Sequence, residues 1–96
     1  MAVRLVVSIT AAPGKGAEFA RAFKPRCELS RTDRGCQQFE LFQSIETPDK
    51  FALLELWESP EALADHAKQQ AARPPLPEGL RSGAGEREDY EYKRTR

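Results

Sequence analysis

Net charge is the first thing this sequence lacks: fifteen Lys and Arg are matched by fifteen Asp and Glu. A neutral chain has no long-range field to gather nucleic acid or an anionic membrane surface, so neither is expected as a partner. Long apolar runs are missing too. No stretch approaches the roughly 20 residues of a membrane-spanning helix. The N-terminal residues lack a signal-peptide pattern, so a cytoplasmic location is expected. Metal ligands are scarce, with one His and with Cys27 and Cys36 outside any CxxC spacing. A His/Cys zinc site would need residues from two subunits, and no metal is expected. In a reducing compartment the two cysteines read as free thiols. Finally, there is no Asn anywhere in the chain.

What remains is a globular composition, 40% hydrophobic with five Phe, one Trp and two Tyr, in a length of 96 residues that suits a single domain over 1–96. Alternation of apolar residues predicts a first strand over Val3–Thr10. After Pro13-Gly14, Phe19, Phe23 and Cys27 fall at i, i+4 and i+8 of a helix running from Lys15 to about Arg31. Pro25 is expected to kink it or loosen its hydrogen bonding. Thr32-Asp-Arg-Gly35 reads as a turn. Cys36–Ile45 reads as a second strand, with Phe39, Leu41 and Ile45 on one face and Phe42 on the other. Glu46–Lys50 carries hairpin chemistry.

Phe51–His66 is the most site-like segment. Phe51–Trp57 is a short apolar strand, in which Phe51, Leu53, Glu55 and Trp57 share one face. Ser59-Pro60-Glu61 then marks a helix start, with an N-cap hydroxyl, Pro at the first helical position and an acid in the first turn. The helix extends to about Ala72, with Leu63, Ala67 and Ala71 as its inward stripe beside His66 and Gln70. Residues 73–87, with three Pro and three Gly, read as loop. Glu88–Arg94 reads as an edge strand, with Tyr90 and Tyr92 on one face and charges on the other.

The order β-α-β-β-α-β predicts a ferredoxin-like α+β fold, a four-stranded antiparallel sheet with two helices on one face. Three strands are apolar on both faces, and two helices can cover only one. The second face therefore predicts a homodimer with facing sheets.

Trp57 and His66 are the candidate catalytic residues. Trp57 can stack on a flat substrate or serve as a core aromatic. His66 can transfer a proton near neutral pH, or be bonded to a backbone carbonyl or to Glu55. Glu55 must be paired if it faces inward, with Arg4, His66 or a hydroxyl as candidates. Phe39, Phe51 and Leu53 are core or pocket wall. Tyr90 is a candidate pocket phenol, either for its own subunit or for its partner.

Pro13-Gly14-Lys15, Gly35-Cys36 with Phe39-Glu40, and above all Glu55-Leu-Trp57-Glu-Ser-Pro-Glu-Ala-Leu63 followed by His66 resemble the antibiotic biosynthesis monooxygenase family of dimeric α+β barrels. That resemblance implies a dimer with a pocket between sheet and helices in each subunit. It implies O2 chemistry on phenolic, quinol-like or polyketide-type compounds without a flavin, metal or nicotinamide cofactor. Haem-degrading members share an Asn, Trp and His set, which a chain without Asn cannot supply. Some members also carry a second His one turn on, where this chain has Ala71. Two other readings are a non-catalytic dimeric module for a small aromatic or hydrophobic ligand, and an isomerase of a small phosphorylated carbonyl compound, which would need an anion site.

Overall fold

The computed structural model describes residues 1–96 as β1 (Val3–Thr10), α1 (Gly16–Ser30), β2 (Cys36–Gln43), β3 (Lys50–Trp57), α2 (Pro60–Ala71) and β4 (Glu86–Glu91). The four strands form one antiparallel sheet in the order β2-β3-β1-β4, the ferredoxin-like arrangement. Both helices cover the face that carries Leu5 and Ile9 of β1, Phe39 of β2, and Phe51, Leu53 and Trp57 of β3.

Into that face α1 inserts Phe19, Phe23 and Cys27, all buried, as its period requires. Aromatic rings then run through the core from one end to the other. Phe51 meets Phe19 at 5.2 Å, Phe19 meets Phe23 at 5.4 Å, and Phe23 meets Phe39 at 6.4 Å between centroids. Each fully buried ring contributes about 1.5–3 kcal/mol of hydrophobic stabilisation, and this row is the main adhesive between α1 and the sheet.

α1 runs on through Pro25. It lies on the exposed side of the helix, where water can satisfy the carbonyl its missing N–H leaves free. No side chain of Lys15 caps the helix start. Asp49, from the β2–β3 turn, does so instead, accepting from Gly14 N at 3.0 Å and Gly16 N at 2.9 Å. A Cβ on residue 16 would lie 2.5 Å from the Pro48 carbonyl oxygen, so glycine is what lets that turn approach.

Three expectations shift. β2 ends at Gln43, and Ile45 lies fully exposed in the following turn. The pairing that would have held it is replaced by a bond from Ser44 N to Lys50 O at 2.9 Å. β4 begins two residues earlier than its alternation suggests, because Glu86 and Arg87 pair with Ser8 and Val7 of β1. In α2 the inward residues are Ala62 and His66, whereas Ala67 and Ala71 are exposed. The helix is rolled so that its polar His, which finds a partner, faces in. Cys27 and Cys36 are free thiols, and no helix is long and apolar enough to cross a membrane.

Ahead of β2, Gly35 has φ +82° and its backbone abuts α2; a Cβ there would lie 2.5 Å from the Ala62 Cβ. Its carbonyl also accepts from Glu58 N at 2.9 Å. Gly79 has a similar φ of +83° but open space around it. Gly79→Ala is therefore expected to cost about 1 kcal/mol, the backbone penalty alone. Gly35→Ala should cost at least about 2 kcal/mol more, because backbone strain and overpacking act together. Urea denaturation of the two variants measures the difference directly.

Candidate functional site

Strand alternation places Glu55 between Leu53 and Trp57 on the helix-covered face, and the chain has no way to turn it out. Its carboxylate is solvated by an indole. Trp57, wholly buried, donates from Nε1 to Glu55 Oε1 at 2.9 Å. This partner is neither Arg4 nor a hydroxyl. Arg4 lies on the opposite face, where it donates to Gln38 Oε1 and sits 5.3 Å above the Tyr92 ring. Burial pushes the Glu55 carboxyl up from its ordinary pKa, and the indole bond and nearby His66 only partly offset that rise.

His66 reaches the same region from α2. Ser59 caps the helix by accepting from Ala62 N at 3.1 Å, with Pro60 at the first position. Two turns on, the buried imidazole lies against Trp57, with ring centroids 4.4 Å apart, and 5.5 Å from Phe39. Its protein partner is neither a backbone carbonyl nor Glu55. His66 Nδ1 bonds to Asp33 Oδ2 at 2.7 Å, from the turn between α1 and β2. Asp33 is in turn gripped through both oxygens by Arg73, just beyond α2; Arg73 Nη1 donates to Oδ2 at 3.0 Å and Nη2 to Oδ1. Burial works against ionisation of Asp33, but the hydrogen bonds from Arg73 and His66 outweigh it and hold its pKa below the ordinary value.

An ionised Asp33 accepts, so His66 carries its neutral-form proton on Nδ1 and keeps Nε2 as a free acceptor. Nδ1 is committed to Asp33, Nε2 has no protein partner, and His66 borders a space on the sheet side of α2. There a cavity of about 310 Å3 opens between sheet and helices, lined by His66, Glu55, Phe39, Leu53 and Phe23 among others.

The seven sequence candidates thus separate. His66, Glu55, Phe39 and Leu53 share this cavity. Trp57 does not line it; the indole backs His66 and Glu55 from within the core. Phe51, also buried, borders a different cleft, between α1 and β2 with Cys27 and Leu41. Tyr90 lies on the open face of the sheet, half-exposed, with its hydroxyl donating to Glu88 at 2.7 Å. Sequence reasoning missed Asp33, whose only signal was a place in a turn, and the role of Arg73. No group of three His, Cys, Asp or Glu side chains is arranged to hold a metal ion.

Comparison with known proteins bears on this geometry. Residues 2–73 match the profile of the family described as antibiotic biosynthesis monooxygenase, a span that includes Asp33, Glu55, Trp57, His66 and Arg73. The solved structure of PA3566 from Pseudomonas aeruginosa superposes with a TM-score of 0.80 at 25% identity, over 97% of this chain and 95% of that one. A conserved protein from Methanosarcina mazei gives 0.81 at 27% identity, over 97% and 94%. A Bordetella bronchiseptica protein named "Putative antibiotic biosynthesis monooxygenase" gives 0.75 at 24% identity, over 96% and 97%, a likeness of fold. A search of curated proteins gives no match.

The raised Glu55 pKa has a testable sign. Folded protein binds this proton more tightly than the unfolded chain. The carboxyl's contribution is therefore fully present below its unfolded pKa of about 4.3 and lost as pH rises through the folded value. Glu55→Gln removes the titration and keeps an acceptor for the indole. Thermal melts should show the variant gaining on wild type as pH rises from 4 to 8. Trp57→Phe, which strands the carboxylate, should instead lose about 1–3 kcal/mol at neutral pH.

Proposed function

The chain belongs to the antibiotic biosynthesis monooxygenase family, and we propose that it acts with O2, without a cofactor, on a small phenolic, quinol-like or polyketide-type compound in the cavity beneath α2. The observation that carries this reading is the bond between His66 Nδ1 and Asp33, which fixes the tautomer and leaves Nε2 as a base for a ligand-sized space with aromatic and aliphatic walls.

In this scheme an aromatic substrate lies against Phe39 and Leu53. His66 Nε2 takes the proton from its acidic O–H or C–H. The carbanion or phenolate, held away from water, passes one electron to O2; the radical pair combines as a peroxide anion, which takes the proton back from the His66 imidazolium to become a hydroperoxide. Loss of water leaves one oxygen atom in the product as a carbonyl; the substrate's own C–H supplies the electrons for the other. Asp33 acts as a positioning residue, stabilising the imidazolium that forms. The protein's contribution is orientation, deprotonation and exclusion of water. Trp57 supports this arrangement from behind by packing on the imidazole, and Glu55 lines the floor.

The reading includes a homodimer. The sheet face without helices carries Val6, Leu54, Leu56, Phe42 and Tyr90, and Phe42 and Tyr90 are 43% and 52% exposed in the single chain. A second copy of the same sheet would cover them. Leu54→Glu should then sediment as a monomer at concentrations where wild type sediments as a dimer.

Oxygen uptake by purified, chelator-treated protein with a panel of hydroquinones and anthrones tests the activity. His66→Gln is expected to lower the protein-dependent rate by about 10²-fold or more, the usual contribution of a general base. Asp33→Asn should lower it by about tenfold, and 15N NMR should show the imidazole losing its Nδ1–H preference. Uptake that is equal in wild type and His66→Gln would be autoxidation. No uptake with any compound would favour the binding-module reading.

A further inference from the structure

The cavity beneath α2 is not uniformly apolar. Its rim carries three guanidinium groups, those of Arg26 from α1, Arg81 from the loop before β4, and Arg87 from β4. Arg87 is already neutralised by two hydrogen bonds to Asp89, at 2.7 Å each. Arg26 and Arg81 have no carboxylate within 4.0 Å; every ion pair in the protein lies elsewhere.

Both are nevertheless held in place. Arg26 Nη2 donates to Pro74 O at 2.7 Å and Arg81 Nη2 donates to Ala84 O at 2.7 Å. Each is steadied by one donor of its five and keeps the rest of its fork free. The two charges also feel one another. Arg26 is half-buried, and burial first, then repulsion from Arg73 and Arg81, lower its pKa. Two like charges brought from separate elements to one rim raise the free energy of the empty protein unless something negative joins them. The acidic groups of the cavity do not fill that role. Glu55 is tied to the Trp57 indole, and Glu86, at the exposed rim, forms no ion pair.

We infer that the compound bound here carries a carboxylate or another compact oxyanion, seated between Arg26 and Arg81 while its ring extends toward His66. The inference rests on this cavity being the substrate site. It narrows the substrate to an anion-bearing aromatic of one or two rings, since about 310 Å3 lies at the small end of ligand pockets. A guanidinium pair would fix one end of such a molecule and so decide which of its atoms meets Nε2, as bidentate forks do for carboxylates and phosphates.

Equilibrium binding tests this without requiring turnover. Benzoate, 1-naphthoate and phenyl phosphate are titrated calorimetrically against benzamide and 1-naphthamide, their neutral counterparts. The anions are expected to bind at least about tenfold more tightly, with affinity falling as salt is added. Arg26→Gln and Arg81→Gln should each erase most of that preference and leave amide binding unchanged. Arg26→Lys, which keeps the charge but not the fork, should restore part of it. Equal affinity for anions and amides, or a preference that both Gln variants retain, overturns the anion seat while leaving the cavity as a binding site. Binding of neither class overturns the cavity reading as well.

Discussion

A carboxylate in the interior is the constraint around which this domain is built. β3 must bury Leu53 and Trp57 to make a core, and a period of two then forces Glu55 in with them. An isolated buried carboxylate is costly, and so is a buried indole N–H without an acceptor. Placing them two residues apart on one face lets each satisfy the other. A single N–H replaces only part of the water an ionised carboxylate would hold, which is why the proton stays on Glu55 to higher pH than usual. The imidazole on α2 sits where that residual negative potential is useful to it. Trp57 is thus less a ligand-facing residue than the hinge of a polar arrangement inside an aromatic core.

The second polar chain, His66 to Asp33 to Arg73, comes from three separate stretches, and its members do different work. Arg73 holds Asp33 by both oxygens, Asp33 fixes the imidazole, and only the imidazole reaches the cavity. The close approach of Gly35 to Ala62 sets where α2 begins relative to the turn that bears Asp33. Backbone contact therefore enforces a side-chain geometry at some distance from it.

Much of the fold could be read from the residues because it rests on local periodicity. The alternation of β1 and β3, the Phe19–Phe23–Cys27 spacing and the Ser59-Pro60 start each specify an element without reference to anything remote. The site was legible in its centre, His66 beside Glu55 and Trp57, for the same reason: the three lie within twelve residues. Its partners were not. Asp33 and Arg73 are ordinary members of a turn and a loop until the chain folds, and Arg26 reads as one more solvent-facing helix charge. The roll of α2 departs from its apolar stripe, in which Ala67 and Ala71 look more inward than a His does. What decides the roll is a hydrogen bond 33 residues away, which periodicity cannot see. Tyr90 illustrates the same limit, since its face depends on which residues of β4 pair with β1.

His66 is the one residue that borders both the inner cavity and an outer cleft lined by Asp33, Asp65, Lys68 and Arg73. Its ring therefore stands between the two, with Nδ1 committed to the outer side. A proton accepted at Nε2 leaves an imidazolium whose Nδ1–H stays bonded to an ionised Asp33, so the charge gained on one side of the ring is answered from the other. Arg73 extends that answer one step further out, so the cavity meets only the last member of a chain of alternating charges.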